Sequence, residues 1–324
     1  MNDNEYAWAL VLAAGEGSRL RALTTTPSGV HVPKQFCSLL NGPSLMHQAL
    51  SRAQSIAPNG RVCTIVAAQH HRWWQDLPAS NVIVQPENRG TANGIMLALL
   101  HIAERDPGAQ IVILPSDHHV QDEPTLEESL RCALTHLRVR PHEVLLLGIE
   151  PEEPDPELGY IVPGDGSRDA TFEVVQFVEK PTAARARQLM DNGGLWNAFI
   201  IAASVEALLH MLEGRFPEIV REMREAVQKD LRSPLSAIAT AELYERLPSL
   251  DFSRDVLRNG RDSNLRVLPV PQCGWSDLGT SKRVVQTLRQ LRSRPRPIGV
   301  SFSVSTHISL AERVEGLRGA IQGP

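Results

Sequence analysis

Alternation of short, wholly apolar runs with helix-like segments over the first 150 residues restricts the fold more than any other feature. The helix-like segments are Ser44–Ser55, Thr91–Ala103 and Pro124–Arg138. Near-continuous apolar strands separated by helices are typical of a mostly parallel sheet with helices on both faces. We therefore predict an α/β fold whose ligands gather at the carboxyl ends of the strands. The runs predicted to be buried strands are Ala7–Ala13, Val62–Ala67, Val82–Val84, Ile111–Leu114 and Val144–Ile149.

The pattern changes after residue 150, where the charged, Pro-rich stretch PEEPDPELG begins. Tyr160–Val162 and Phe172–Val178 predict antiparallel strands inserted into the sheet, and Leu265–Val270 predicts a further strand. We predict one large domain over residues 1–291, with halves 7–150 and 151–291, followed by a partly ordered tail, 292–324. The segments predicted as helical are Ala183–Met190, most of 203–247 and Thr280–Leu291.

Composition excludes several classes of function. With 33 basic and 37 acidic residues the net charge is −4, so the chain has no excess of positive charge for a nucleic-acid partner. The four cysteines form no CxxC pair, which argues against a zinc site or a disulfide framework and favours a reducing compartment. The start, MNDNEYAW, does not look like a signal peptide, and no apolar run approaches the roughly 18 residues of a membrane span. We expect a cytoplasmic protein without a membrane partner.

Lysine is rare in this chain. Only Lys34, Lys180, Lys229 and Lys282 stand among the 33 basic residues, and the others are arginines. A lysine in such a background is expected where a compact, point-like ammonium is needed instead of a planar guanidinium.

The first candidate motif is LVLAAGEGSRLR, residues 10–21, in which an apolar strand breaks at Gly15. Glycines after a strand let backbone N–H groups approach a phosphate closely, and Arg19 adds a charged donor. The third glycine of a dinucleotide fingerprint is replaced by Leu20, and no GK[ST] follows as in a Walker loop. An ordinary strand-to-loop turn is the alternative interpretation.

Further polar residues follow strand ends or a stiffening proline. In VPKQF, Lys34 is suited to pair with a polyphosphate, and in QPENRGTANGI, Gly90 precedes a helix that begins near Thr91. In ILPSDH, Asp117 comes directly after an apolar strand and suits Mg²⁺, which takes few protein carboxylates. FVEKP places Lys180 near another strand end. Each motif alone also fits a turn, a helix cap or a solvated charge.

Taken together and in order, the motifs GEGSRL, PKQF, RGTA, PSDH, FVEKP, LWN and GWSDLG resemble those of the sugar-1-phosphate nucleotidyltransferases. The form of PKQF and FVEKP is most similar to the bacterial mannose-1-phosphate guanylyltransferases, over roughly residues 8–290. The resemblance implies a Rossmann-like, GT-A-like mixed sheet. It also implies Mg²⁺-assisted, in-line attack of mannose 1-phosphate on the α-phosphorus of GTP, giving GDP-mannose and pyrophosphate. A homodimer is expected from relatives alone.

The resemblance also implies roles for individual residues. The catalytic set is Arg19 and Lys34 at the leaving pyrophosphate, Lys180 at the sugar phosphate, and Asp117 and Asp277 as the Mg²⁺ ligands. Nucleotide binding falls to Ala13, Ala14, Gly15, Gly17, Ser18, Gln85, Gly90, Thr91 and Ser116. Sugar binding falls to Gly159, Glu179, Asn197 and, as a lesser candidate, Asp251.

Two departures from the family pattern concern the substrates. The usual WNSG is Trp196-Asn197-Ala198-Phe199 here, so a ring replaces a glycine near the sugar, and the usual RNTAP is 89–93, RGTAN. Transfer from dTTP, UTP or CTP to another sugar 1-phosphate therefore stays open. A non-catalytic, nucleotide-sugar-binding regulatory subunit is a further alternative, against which the complete set of charged residues argues.

Overall fold

A computed structural model describes residues 7–77, 81–166, 170–233, 238–257, 264–293 and 308–321. Residues 1–6, which the prediction of no signal peptide concerns, lie outside these ranges. Residues 294–307 and 322–324 of the predicted tail also lie outside them.

One nine-stranded sheet forms the centre of the molecule, and all eight predicted strands are present. The strands are β1 Ala7–Ala13, β2 Val62–Ala67, β3 Asn81–Gln85, β4 Gln110–Pro115, β5 Val144–Ile149, β6 Tyr160–Pro163, β7 Phe172–Val178, β8 Leu195–Ser204 and β9 Leu265–Val270.

Helices surround the sheet. The α-helices are α1 Arg21–Thr24, α2 Leu45–Ile56, α3 His71–Trp74, α4 Thr91–Arg105, α5 Glu123–Val139, α6 Ala183–Asp191, α7 Val205–Glu213, α8 Pro217–Arg232, α9 Ile238–Arg246, α10 Ser281–Ser293 and α11 Leu310–Ile321. Short 3₁₀ turns cover Ser18–Leu20, Lys34–Phe36, Asn59–Arg61 and Ala68–His70, and Phe252–Leu257 forms a π-helical turn.

The strand order is β3-β2-β1-β4-β8-β5-β9-β7-β6, and β6 also pairs with β8. Only β7 and β8 run against the other seven strands, so the sheet is mixed and mostly parallel, as predicted. Strands of both halves of the chain belong to this sheet, because β8 lies between β4 and β5.

The prediction omitted strand β8 and placed its last two residues in a helical region. The run LWNAFIIAAS is buried along almost its whole length, so it lacks the polar–apolar alternation that marks a half-exposed strand. Ser204 ends the strand and caps α7 by accepting a hydrogen bond from the Ala207 N–H.

Alternate strand residues face the two helical layers, because successive side chains of a strand point to opposite faces. In β1, Ala9 and Val11 join the core formed with α2, α5 and α10. Trp8 and Leu10 join the core formed with α4, α7, α8 and α9. Among the described residues, no helix combines the length and apolar character needed to cross a membrane.

Register places the functional loops at one edge of the sheet. Leu12, near the end of β1, pairs with Pro115 at the end of β4. Trp196 of β8 pairs with Ile149 at the end of β5 and with Tyr160 at the start of β6. The antiparallel pair β6–β7 therefore begins at the carboxyl edge of the parallel strands.

Candidate active site

A cavity of about 580 Å³ opens at this carboxyl edge, and it gathers residues from both halves of the chain. Most of the predicted site residues line it, although they are separated by up to 263 positions, the difference between 277 and 14. The lining residues among those predicted are Ala14, Gly15, Arg19, Gln85, Gly90, Thr91, Ser116, Asp117, Gly159, Glu179, Lys180, Asn197, Asp251 and Asp277.

Four predicted residues do not line the cavity: Ala13, Gly17, Ser18 and Lys34. Ala13 is 1% exposed at the end of β1, and its carbonyl accepts a hydrogen bond from the Gln35 side chain at 2.9 Å. Gly17 packs against Lys34, and Ser18 is exposed on the loop. Lys34 is buried beneath the glycine loop. It does not line the cavity itself, but it contacts Asp117, which does.

Lys34 joins three loops of the site. Its Nζ lies 2.9 Å from Asp117 Oδ2, donates to the Asp277 carbonyl at 2.6 Å and reaches the Leu278 carbonyl at 3.4 Å. The Lys34 side chain is only 6% exposed, whereas the Asp117 carboxylate keeps 35% of its area open. A compact ammonium with three donors suits this position, because its acceptors lie in different directions.

Asp277 is held in a fixed orientation on the other side of Lys34. Its Oδ1 accepts from the Gly279 N–H at 3.0 Å and lies 3.5 Å from Arg283 Nε. Arg283 is buried, donates twice to Asp155 at 2.9 and 2.7 Å, and covers the Trp196 ring at 4.9 Å. These contacts form a charged network behind the cavity wall.

The glycine loop is tied to the sheet by side chains. Gln35 Nε2 donates to the carbonyls of Ala13 and Gly15, and Ser116 Oγ donates to the Leu12 carbonyl at 2.6 Å. Gly17 has φ of +61°, and a Cβ there would lie 3.0 Å from Lys34 Cβ. The loop therefore packs directly on the lysine segment, where only glycine fits easily.

The start of α4 meets the segment before the π-helical turn. Gly90 has φ of +85°, and a Cβ there would lie 2.2 Å from the Leu250 carbonyl oxygen. Thr91 Oγ1 donates to Asp251 at 3.3 Å and accepts from the Phe252 N–H at 2.8 Å. Asp251 therefore belongs to the wall that Gly90 and Thr91 form.

Gln85 ends β3 and presents its amide to the cavity. The residue is 2% exposed, and its Oε1 has no hydrogen-bond partner among the described residues. Gly94 lies against this amide, because a Cβ there would come within 2.6 Å of Gln85 Oε1. An unpaired buried acceptor is costly, so this oxygen is suited to a donor on a bound molecule.

The opposite end of the cavity is formed by β6, β7 and β8. The Asn197 N–H donates to the Gly159 carbonyl at 2.8 Å, and a Cβ on Gly159 would lie 2.7 Å from Glu179 Oε2. Lys180 is exposed beside them with φ of +44°. Three predicted sugar-binding residues and Lys180 thus line one end.

Phe199 lies in an irregular part of β8, where the pairing with β5 shifts between Leu147 and Gly148. Its φ is +54°, its N–H donates to Asn197 Oδ1, and its ring packs edge-on against Phe252 at 6.2 Å. A bulge redirects a side chain, and here the Phe199 ring lines the cavity.

Burial and neighbouring charges shift the pKa of Asp117 and that of the adjacent His118. Burial would raise the pKa of Asp117, but Lys34 and His118 together hold it below its usual value. Burial lowers the pKa of His118 to about 4, against the opposing effect of Asp117. At neutral pH the site therefore contains an ionised Asp117 beside a neutral His118.

The described part of the chain has no group of three or more His, Cys, Asp or Glu side chains placed to hold a metal ion. Asp117 and Asp277 nevertheless line the same cavity, and both approach His118 closely enough to influence its pKa. Mg²⁺ commonly takes one or two protein carboxylates and completes its shell with water and phosphate oxygens. The two carboxylates fit such an ion.

Sequence reasoning missed Arg283, Asp155 and Glu157. Glu157 lines the cavity and lies 3.6 Å from Arg19, and the other two form the buried pair behind Asp277. No local pattern marks them, since Arg283 is one arginine among many and both acids lie in a loop rich in charge.

With this geometry established, comparison with known proteins gives the family. A nucleotidyl transferase family model matches residues 8–294, and the chain belongs to that family. The resemblance inferred from the seven motifs is thereby confirmed.

Curated relatives narrow the comparison. A mannose-1-phosphate guanylyltransferase of Escherichia coli is 27% identical over 284 residues, covering 83% of this chain and 59% of that protein. An alginate biosynthesis protein, AlgA, of Pseudomonas aeruginosa is 27% identical over 282 residues, covering 84% and 56%. The chain spans less than two thirds of the length of these relatives.

A solved structure from Thermus thermophilus, described as a mannose-1-phosphate geranyltransferase, superimposes with a TM-score of 0.70. It is 26% identical and covers 85% of this chain and 76% of its own. The likeness confirms the predicted mixed α/β architecture.

Proposed function

We propose that the protein transfers a guanylyl group from GTP to mannose 1-phosphate, releasing pyrophosphate and forming GDP-mannose. The carrying observation is the contact of Lys34 with Asp117 and with the Asp277 backbone, which joins three distant motifs at one cavity. The family match and the guanylyltransferase relatives support the same reaction. The curated relatives support a role in polysaccharide biosynthesis, and four cysteines without a CxxC pair favour a cytoplasmic enzyme.

The reaction asks for positioning and charge stabilisation more than for covalent chemistry. The sugar phosphate attacks the α-phosphorus in line while pyrophosphate leaves on the opposite side. Arg19 and the backbone N–H groups of the glycine loop bind the leaving phosphates, and Lys34 fixes the loop from below. Preorganised charges of this kind are the largest single contribution in many enzymes.

Mg²⁺ would be held by Asp117 and Asp277 and would neutralise phosphate oxygens at the reacting centre. The neighbouring Lys34 keeps Asp117 ionised at neutral pH, which a metal ligand requires. Arg283 and the Gly279 N–H keep the Asp277 carboxylate oriented toward the cavity.

The two ends of the cavity divide the substrates. Gln85, Gly90 and Thr91 surround the base, and the unpaired Gln85 oxygen accepts a donor from its edge. Gly159, Glu179 and Asn197 contact the hexose, with Lys180 at its phosphate and Phe199 beside the ring. Ala13, Ala14, Gly15, Gly17, Ser18 and Ser116 form or support the phosphate loop.

Transfer from dTTP, UTP or CTP to another sugar 1-phosphate is the second candidate. Phe199 is the observation that favours it, because its ring lines the cavity at a position where the family pattern has a glycine near the sugar. A purely regulatory binding subunit has no need of the buried lysine–carboxylate arrangement. A homodimer stays a prediction.

Pyrophosphate release tests the proposal directly. Purified protein with Mg²⁺ is given GTP, dTTP, UTP, CTP or ATP, each with mannose 1-phosphate or glucose 1-phosphate. We expect release with GTP and mannose 1-phosphate above all other pairs. Release with another pair would support nucleotidyl transfer but would assign different substrates. Nucleotide binding without release would support the regulatory alternative.

As a control, Asp117→Asn should abolish release while Asp122→Asn, a surface helix cap with the same chemical change, should not. Full activity of Asp117→Asn at ordinary Mg²⁺ would contradict the metal assignment.

A further inference from the structure

The C-terminal segment 308–315 lies beside the lysine loop and is joined to it by an isolated backbone bridge. Ser38 forms a parallel bridge with Ser309 on one side and an antiparallel bridge with Ser44 on the other. The Ser38 N–H donates to the Ile308 carbonyl at 2.9 Å, and the Leu310 N–H donates to the Ser38 carbonyl at 2.8 Å. Ser38 lies four residues after Lys34, so these two bridges fix the chain just beyond the lysine.

Burial shows that the segment is part of the core. Leu310 is fully buried, and Ile308 and Ala311 are each 6% exposed. They belong to the same apolar cluster as Leu20 and Leu39. Helix α11, which begins at Leu310, packs against α1 and α10.

Side-chain contacts hold the same segment at the surface. Asn41, which has φ of +49° in the turn after Ser38, donates to Glu312 Oε1 at 2.8 Å. Arg292 at the end of α10 pairs with Glu315 at 2.6 Å. Exposed pairs of this kind contribute little stability, so the apolar contacts and the bridge provide most of the attachment.

The segment contacts three elements, and each of them directly follows a loop that carries a charged residue of the site. Helix α1 follows the glycine loop with Arg19, the bridged residue Ser38 follows Lys34, and α10 follows the loop of Asp277. We infer that residues 308–315, which we call the C-terminal clasp, are a positioning element that holds these loops in register for catalysis. This inference rests on the proposed function.

The clasp can affect catalysis because the Lys34 hydrogen bonds tolerate little displacement of the lysine loop. The ammonium has acceptors at 2.6 and 2.9 Å on two different loops, so a small displacement of the lysine loop breaks at least one contact. A misplacement of about 1 Å in a positioned group reduces turnover by up to about 10²-fold. The clasp therefore affects kcat more than it affects the affinity for the sugar phosphate.

The test uses the full-length chain with Leu310→Ala, and Leu310→Met as the volume-conserving rescue. Leu212→Ala is the matched control, because Leu212 is equally buried but lies in the other core. If Leu310→Ala does not fold, Leu310→Val replaces it. Steady-state kinetics are measured well below the melting temperature of every variant.

A second readout does not depend on activity. Cys37 adjoins Ser38, is fully buried and has a pKa raised to about 12 by burial, so it reacts slowly while the clasp is in place. Cys63 is buried in the other core and serves as the internal reference. Iodoacetamide labelling of both, followed by peptide mass spectrometry, measures local opening of the lysine loop.

We expect Leu310→Ala to lower kcat by about tenfold or more, with the KM for mannose 1-phosphate changed by less than about threefold. Cys37 labelling should accelerate, Cys63 labelling should not, and Leu310→Met should restore both properties. A Leu310→Ala variant with the kcat of Leu212→Ala and unchanged Cys37 labelling would overturn the inference. If the wild-type chain turns over no substrate pair, the proposed function fails, and the labelling ratio still decides whether the clasp fixes the lysine loop.

Discussion

Replacing Lys34 with Met tests the centre of the site, because methionine fills much of the same volume without the ammonium. The change removes two short charged hydrogen bonds, to Asp117 at 2.9 Å and to the Asp277 carbonyl at 2.6 Å. A hydrogen bond to a charged group contributes about 1.5–3 kcal/mol, and loss of one partner of a buried pair costs about 3–5 kcal/mol. Asp117 keeps one third of its carboxylate open, so water compensates part of this loss.

We therefore expect a loss of about 3 kcal/mol in the free energy of unfolding and a melting temperature lower by about 4–5 °C for a chain of this length. Turnover should fall by about 10²-fold, because the cation that positions Asp117 and the adjoining loops is removed. Urea denaturation, calorimetry and pyrophosphate release are the assays. The control is Lys282→Met, since Lys282 makes only an exposed pair with Glu153.

A double-mutant cycle with Asp117→Asn separates the ion pair from other effects of the substitution. In Lys34→Met the Asp117 carboxylate has lost its cation, so adding Asp117→Asn should recover about 1 kcal/mol or more of stability. If the two substitutions are additive, or if Lys34→Met unfolds and turns over like Lys282→Met, the contact of Lys34 with Asp117 does not organise the site.

Four further outcomes are expected. Lys180→Arg should lower kcat although it keeps the charge, because a planar fork does not replace a point donor; unchanged kinetics would contradict this. Gly90→Ala should cost more than the roughly 1–3 kcal/mol of its backbone conformation alone and should weaken nucleotide binding, because its Cβ would overlap the Leu250 carbonyl, and calorimetry with GTP titration checks both. Phe199→Gly should admit bulkier sugar 1-phosphates, which a substrate panel tests, and should not raise the melting temperature, because the ring contact with Phe252 is lost as the positive φ is relieved. Burial lowers the pKa of His101 despite nearby Asp230 and Glu104, so its contribution to stability is full above about pH 6.5 and is lost as pH falls through its folded pKa; a His101→Gln variant should show a flatter decline in urea titrations.

Much of the fold could be predicted because strand and helix alternate along the first half with clear apolar periods. Strand β8 could not, since a fully buried apolar run looks the same in a strand and in a buried helix. The docking of 308–315 beside Ser38 was also beyond prediction, because the two segments are 270 positions apart and neither carries a polar pattern that indicates pairing.

The candidate site divides in the same way. Motifs after strand ends indicated which residues gather at the carboxyl edge, because parallel strands deliver their ends to one place. The sequence did not show that Lys34 lies beneath the loop and not in the cavity wall. Its partners are the side chain of Asp117 and the backbone of Asp277, and a backbone carbonyl leaves no trace in residue identity.

The ion pairs that the site's cations form with carboxylates indicate which cation is available to bind a substrate phosphate. Arg19, Lys34 and Arg283 each contact a carboxylate, at 3.6, 2.9 and 2.7 Å respectively. The Arg19 pair with Glu157 is half exposed on both sides, so it contributes at most about 1 kcal/mol and is easily exchanged for a phosphate. Lys34 is held by two backbone carbonyls besides Asp117, and a phosphate cannot displace all three contacts. We therefore expect Arg19 to be the cation that moves onto the triphosphate of the proposed substrate, while Lys34 stays in place and sets the distance between the glycine loop and the two carboxylates.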